Sequence, residues 1–442
     1  MSRSSGLALR TFDLALTLAW LIVLAPLWLA RGLLALIGAG RLFDRAQVLG
    51  RERRPFVRLA FAGPLPGRDL AALFNILRGD MAIAGPRPLA AAEAAMVPAA
   101  AAIRFSVRPG LFSPYRLQRC TGIAHDPESE LDRRFVERLS VRVGLGMIVR
   151  SLLAGLIGGG GGEGPPTPPL LNFFGVPIVN TTMDEAVDWI AGRAANRPSP
   201  SRRLSSSKEE GNAQQLPLSA ATEEKALLAF VNPDCLNIAY THDRYRTILQ
   251  RAARVLPDGI GIKIGCRMRG LGLAANVNGT DLFPRLCERA ARDGFSLFLL
   301  GARPGIADLV AGNMRARYPG LTIAGTQHGY FGPDEEGAII ARINASGARV
   351  LLVAFGVPRQ ELWLIDHHDA LAPPVRMGVG GLFDFYSGRI PRAPLWLREI
   401  GLEWTWRLIQ EPGRMWRRYI LGNPLFLYRV WKQSRQEAKA HE

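Results

Sequence analysis

Between Phe295 and Gly381 short apolar runs take turns with longer helical patterns, and this alternation constrains the fold more than any other feature of the chain. FSLFLLGA, LTIAG, ARVLLVAFG and VRMGVGG are too short for buried helices and rich in β-branched or aromatic residues, whereas GIADLVAGNMRARYPG and DEEGAIIARINASG carry apolar residues at helical spacing. Strands alternating with helices predict an α/β unit, a Rossmann-like open sheet of parallel strands, with ligands gathering at the carboxyl ends of those strands.

Several unusual segments fall where such strands end. FGVPRQELW (Phe355–Trp363) closes one run with a Gly-Pro turn that offers Gln360 and Glu361, and reads as a ligand site. LGARPG, with Gly301 and Gly305, and GVGG, with Gly380 and Gly381, are glycine turns whose backbone N–H groups can approach an anion such as a nucleotide diphosphate. Either one alone is equally a plain tight turn; two of them after strands of one sheet favour a nucleotide. Asp258, in VLPDGIGI, is open to two readings: a cap or Asx-turn residue, since Asp-Gly is a strong turn dipeptide, or a general base.

At 442 residues the chain is long enough for two domains. GGGGGEGPPTPP (Gly158–Pro169) reads as a linker with a flexible and a stiffer half; a linker at 159–169 separates a unit at 1–158 from one at 170–425, with a tail at 426–442. The second unit starts with a helix near Met183 capped by Thr181 or Thr182, and residues 198–222 read as a solvated loop insertion. Four cysteines without CxxC spacing predict free thiols. His367 and His368 are adjacent and point apart on a helix, so no structural metal is expected, and they read as surface residues.

With 55 Lys+Arg against 38 Asp+Glu, the formal charge of +17 calls for an anionic partner. From Arg389 to Arg435 Arg alternates with Trp, Leu, Phe and Tyr, a pattern that suits a lipid headgroup boundary; a core-packing helix with a basic face is the alternative. No nucleic-acid motif accompanies these residues, and nucleic acid is not expected as a partner. Leu14–Ala30 is uncharged, near the lower limit of about 17 to 25 residues for a span. Pro26 inside it would kink a helix, so a re-entrant hairpin and a transmembrane helix both stay open. A signal peptide is disfavoured by the lack of a small-residue cleavage site, and the arginines that follow predict that the rest stays cytoplasmic.

The succession VLPDGIGI, NGTDL, FGVPRQELW, GVGGLFDFYSG and RAPLWLREIGLEWTWRL resembles the WecG/TagA/CpsF glycosyltransferases over about residues 170 to 425. The resemblance implies an inverting transferase for which Asp258 is the base, while Asn232, Asn276, Asp281, Gln360 and Glu361 contact donor or acceptor, the latter two through sugar or uridine hydroxyls. It also implies that Arg407, Arg414, Arg417 and Arg418 hold the diphosphate. The donor would be a UDP-sugar, with no further cofactor, and the acceptor a polyprenyl-diphosphate-linked saccharide. Phe230 and Asn276 stand where N-acetylmannosamine-transferring members have Thr and Arg, so UDP-glucose or UDP-glucuronate is as reasonable a donor as UDP-N-acetylmannosamine.

A second resemblance covers Gly40 to about Gly158. NILRGDMAIAGPRPL, VRPGLFSPYRLQ and LDRRFVERLSV resemble the bacterial sugar transferases that move a phospho-sugar onto polyprenyl phosphate, an α-rich, membrane-associated module. Arg87 in its GPRP corner could bind phosphate, cap a helix or pair with Asp80. Active members carry Asp-Glu where this chain has Arg68 and Asp69, and a guanidinium cannot act as the nucleophile. The expectation is therefore a degenerate module on the cytoplasmic face of the bacterial inner membrane, serving exopolysaccharide or cell-surface polysaccharide biosynthesis. A bifunctional enzyme and a non-catalytic scaffold are the alternatives, and a homo-oligomer is left open.

Overall fold

The computed structural model describes residues 3–63, 67–121, 128–158, 166–195 and 225–441. Most of the Gly/Pro stretch and the whole polar insertion at 198–222 lie outside the described residues. The chain divides into two compact units, Met1–Gly164 with Pro394–Glu403, and Pro165–Ala393 with Trp404–Glu442.

In the first unit, helices Arg3–Val23 and Ala25–Ala39 meet at Leu24, and Pro26 sits in the opening turn of the second, where its missing N–H costs nothing. One side of the first helix is polar and engaged. Arg10 donates to the Ile76 and Leu77 carbonyls (2.6 and 2.9 Å), and Asp13 accepts from the Ile83 amide (3.1 Å). Leu7, Leu18, Ile22 and Val23 are exposed, as are Leu27, Leu29, Leu33 and Ile37 of the next helix. Among the described residues Gly6–Val23 is the one helical stretch long and apolar enough to cross a membrane.

Strands β1 (Phe43–Leu49) and β2 (Pro55–Phe61) form an antiparallel hairpin, and β3 (Ala82–Ala84) pairs in parallel with β4 (Gly110–Phe112). The fully buried Asn75 fastens the hairpin, accepting from Leu59 N (2.9 Å) and donating to Val57 O (2.7 Å). Helices make up most of the remainder. Pro394–Glu403 joins this unit, with Glu399 buried against Arg150 (2.6 Å).

The second unit opens with a hairpin, β5 (Leu170–Phe173) and β6 (Val176–Val179), and a helix, Met183–Ala194. Thr182 caps that helix, accepting from Glu185 N, while Glu185 reaches back to the Thr182 amide. Six strands follow: β7 (Ala226–Val231), β8 (Arg254–Pro257), β9 (Leu297–Gly301), β10 (Ile323–Gln327), β11 (Val350–Ala354) and β12 (Val375–Gly378). All pair in parallel, in the order β10-β9-β11-β12-β7-β8. Alternate side chains serve two cores. Leu228, Phe230, Leu299, Val350, Leu352 and Met377 belong to one, and Leu227, Ala229, Leu300, Leu351 and Val353 to the other. A parallel sheet buried on both faces needs such continuous apolar runs.

The four runs read as strands are β9 to β12, and the two helical patterns are Ile306–Arg317 and Pro333–Ala345. Sequence reading did not delimit β7 and β8. The first begins directly after the polar insertion, and the second has four residues, one of them Arg254.

Candidate functional site

Parallel strands place every post-strand loop at one edge of the sheet. Read along that edge, Asp258 follows β8, Asn232 follows β7, Val379–Gly381 follow β12, Phe355–Pro358 follow β11, and Ala302–Gly305 follow β9. Asp258 and the Gly301 turn are four strand spacings apart, roughly 19 Å. The chain leaves β9 toward β10 and leaves β11 toward β12, in opposite directions along the sheet. The crevice between β9 and β11 is thus a topological switch point, where open α/β sheets bind ligands.

Asp258 is half-buried, and its amide donates to the Val231 carbonyl (2.8 Å). The helix that follows, Ile260–Met268, has Gly259 at its N-cap, so Asp258 stands one residue before the cap position. Asn276 accepts from the Gly259 amide (2.6 Å) and thereby holds the turn that presents Asp258. Gly259 itself needs glycine, at φ +94°.

Asn232 caps helix Pro233–Thr241, its Oδ1 accepting from the Asp234 and Cys235 amides (both 3.1 Å). Asp281 is buried, accepts from Asn278 Nδ2 (2.8 Å) and forms an ion pair with Arg392. Phe230 is buried in the core, and its ring lies 3.5 Å from where a side chain on Gly279 would begin.

Gly301 is required by packing: at φ +129° a Cβ would lie 2.6 Å from the Ala354 carbonyl oxygen of the next strand. Ala302 (φ +57°) and Gly305 (φ +81°) are left-handed in the turn that leads into helix Ile306–Arg317, and the Ala302 amide donates to the Ala354 carbonyl (3.1 Å).

Gln360 and Glu361, expected to meet ligand hydroxyls, point inward; they are 2 % and 0 % exposed. Gln360 Oε1 accepts from the amides of Gly356 (3.2 Å) and Gly380 (3.0 Å), and its Nε2 donates to Glu361 Oε1 (2.8 Å). Burial raises the Glu361 carboxyl to about 7, and its Oε2 makes no hydrogen bond among the described residues. The Gly380 amide is accordingly occupied, and Gly381 is the next glycine of that turn. Arg407 Nη2 sits 3.2 Å from where a Gly381 side chain would begin, and its guanidinium lies over Phe385.

Arg418 lies 3.4 Å from Asp234 and within electrostatic reach of Asp258. Arg417 is exposed beside Trp416, and the Arg414 side chain lies outside the described residues. Helix Gly422–His441 buries Phe426 and Val430, and Arg429 donates to Asn237 (3.0 Å) while stacking on Tyr240. Its other face exposes Leu425, Tyr428 and Trp431, in line with Leu421 just before it. Asp234, Arg392 and Asn278 belong to this region and were not singled out from the sequence; Arg392 and Asp281 are 111 residues apart and carried no local signal of pairing.

His367 lies 3.4 Å from Glu336 and His368 faces Arg376; both are half-buried and, contrary to expectation, follow the end of helix Arg359–Asp366 and do not lie on it. Cys235, Cys266 and Cys287 are buried free thiols, and burial pushes Cys235 up to about 12. The Cys120 side chain lies outside the described residues.

In the first unit Arg68 ties Asp44 (2.7 Å) to the Phe61 carbonyl, and Asp69 is clamped by Arg58 (2.5 Å) and Arg116 (2.6 Å). Arg87 pairs with Glu128 (2.8 Å) and Glu93 (3.0 Å), not with Asp80.

An open parallel sheet with a half-buried carboxylate and glycine turns along its carboxyl edge is the architecture of a ligand-binding α/β domain. Residues 203–440 match the Glycosyl transferase WecG/TagA/CpsF family, more than half of the chain, and the protein belongs to that family. Residues 68–158 match the Bacterial sugar transferase family, whose domains are typically membrane-associated. Both families place the protein among the sugar transferases of polysaccharide biosynthesis.

Proposed function

We propose that the protein is an inverting hexosyltransferase that moves a sugar from a UDP-sugar onto a polyprenyl-diphosphate-linked saccharide at the cytoplasmic face of the bacterial inner membrane. The observation that carries this reading is the position of Asp258: half-buried, in the turn just before helix Ile260–Met268, and on the same sheet edge as the switch-point crevice. There it takes the proton of the acceptor hydroxyl as that oxygen attacks the anomeric carbon, and the UDP leaves from the opposite face. Arg407, near Gly381, and Arg418, near Asp258, neutralise the leaving diphosphate. Asn276 and Asn232 act on the backbone of the loops that present the base, and the donor contacts fall to the Gly301–Gly305 turn and to Gly381. No resident metal or cofactor enters this reading.

Lipid association has two supports in the two units. Helices Arg3–Val23 and Ala25–Ala39 expose apolar side chains while Arg10 and Asp13 bind the unit's own backbone, an arrangement that favours a re-entrant hairpin over a span. Helix Gly422–His441 exposes Leu425, Tyr428 and Trp431 with cations alongside. The bifunctional alternative is disfavoured because Arg68, occupied by Asp44, stands at the position of the nucleophile.

Membranes carrying the protein, given a panel of radiolabelled UDP-sugars and polyprenyl-diphosphate-linked acceptors, should yield one labelled lipid product whose new glycosidic bond has the anomeric configuration opposite to that of the donor. A product of retained configuration, or none from a broad panel together with no binding of UDP, would refute the reading.

A further inference from the structure

The two residues of the PRQEL segment that best resemble ligand contacts are shut away from any ligand, and their geometry assigns them other work. Gln360 Oε1 is shared by two backbone amides from different loops, Gly356 after β11 and Gly380 after β12. Both glycines are left-handed, at φ +84° and +54°, so neither loop has an extended form that would satisfy its amide in the sheet. The Gln360 amide can face them only with its oxygen. The Nε2 end is fixed the other way by Glu361 Oε1, at 2.8 Å, and a flipped amide would set N–H against N–H. Gly378 closes the arrangement: a Cβ there would lie 2.5 Å from Gln360 Nε2 and 2.8 Å from Glu361 Oε1. Beyond this knot lie Gly381 and the Arg407 guanidinium, which carry the donor diphosphate in the proposed reaction.

We propose that Gln360 and Glu361 are positioning residues that never touch the donor: Gln360 staples the loops after β11 and β12 at the separation that receives the nucleotide diphosphate, and Glu361 sets the orientation of the Gln360 amide. The proposal rests on the donor-site reading above. It explains why both side chains are buried although the segment that carries them follows a strand at the carboxyl edge of the sheet. It also separates the two residues by role. Any acceptor at 361 suffices, so Gln replaces Glu there, whereas an apolar residue at either position frees both loops.

The test uses the full chain in detergent, with UDP binding measured by calorimetry and folding checked by near-ultraviolet circular dichroism. Glu361→Gln should bind UDP within about twofold of the wild type, and Gln360→Leu and Glu361→Leu should each lose about tenfold or more, a loss of about 1.4 kcal/mol. Equal weakening in Glu361→Gln and Glu361→Leu would overturn the role given to Glu361. UDP binding unchanged in a folded Gln360→Leu whose turnover is lost would overturn the staple and make Gln360 a contact of the reacting sugar. Hydrogen exchange of the Gly356 and Gly380 amides in the ligand-free wild type checks the staple without any variant: both should be protected, and rapid exchange of either would refute it. Failure of the wild type to bind UDP, with both amides protected, would refute the donor reading and leave the staple standing.

Discussion

Replacing Glu361 with Gln should make the second unit more stable at alkaline pH and leave it nearly unchanged at acidic pH. The carboxyl is fully buried with one oxygen unbonded, and it titrates at about 7 in the fold against an ordinary value of 4.5. Between those values the folded chain keeps a proton that the unfolded chain has released, so stability falls as pH rises through this window. Above pH 7 the full deficit is about 2.5 units at 1.36 kcal/mol each, or about 3 kcal/mol. Glutamine has the same shape, accepts the Gln360 hydrogen bond and does not ionise. Thermal unfolding of the full chain in detergent, followed by proteolytic loss of the second unit, should show the variant level with the wild type at pH 5. At pH 8.5 it should melt higher by about 6 to 12 °C, at roughly 2 to 4 °C per kcal/mol for a unit of this size. The Asp132 carboxyl, which burial also raises to about 7, is common to both proteins and cancels in the difference. A wild-type-to-variant difference that stays constant from pH 5 to 8.5, within about 0.5 kcal/mol, would mean that the Glu361 carboxyl is not raised by burial.

Gly378→Ala should destabilise the same unit by about 1 to 3 kcal/mol in urea titration, because the new methyl meets two buried side chains that cannot swing away. Asn75→Ala should cost the first unit about 2 to 4 kcal/mol, since it orphans the Leu59 amide and the Val57 carbonyl of the β1–β2 hairpin; an unshifted melting curve would show that water replaces the side chain. Arg407→Ala should raise the KM for the sugar donor at least tenfold while leaving the melting curve in place, and an unchanged KM would remove Arg407 from the diphosphate site.

The strands β9 to β12 were legible because each is a short apolar run closed by a glycine or proline turn, and their parallel order placed the following loops on one edge before any side chain was seen. Legibility ended at side-chain direction. Gln360 and Glu361 follow a strand, as ligand contacts do, but turn inward to hold two loops. Asp281 was legible as a polar residue after an Asn-Gly-Thr turn, yet its partner, Arg392, lies in a segment read as lipid-facing. Arg87 likewise found Glu128 and Glu93, carboxylates that no spacing rule links to a GPRP corner. A sequence records charges but not the long-range approaches that neutralise them. The break at Leu24 and the cap at Thr182 were read correctly for the opposite reason, since proline geometry and capping are settled within one helical turn.

Sugar transfer by wild-type and Asp258→Asn membranes, matched for protein, decides whether Asp258 is the base. With Asp258 as the base, its loss lowers turnover by about 10² to 10⁴ with UDP affinity unchanged; equal turnover by both would make Asp258 a turn residue.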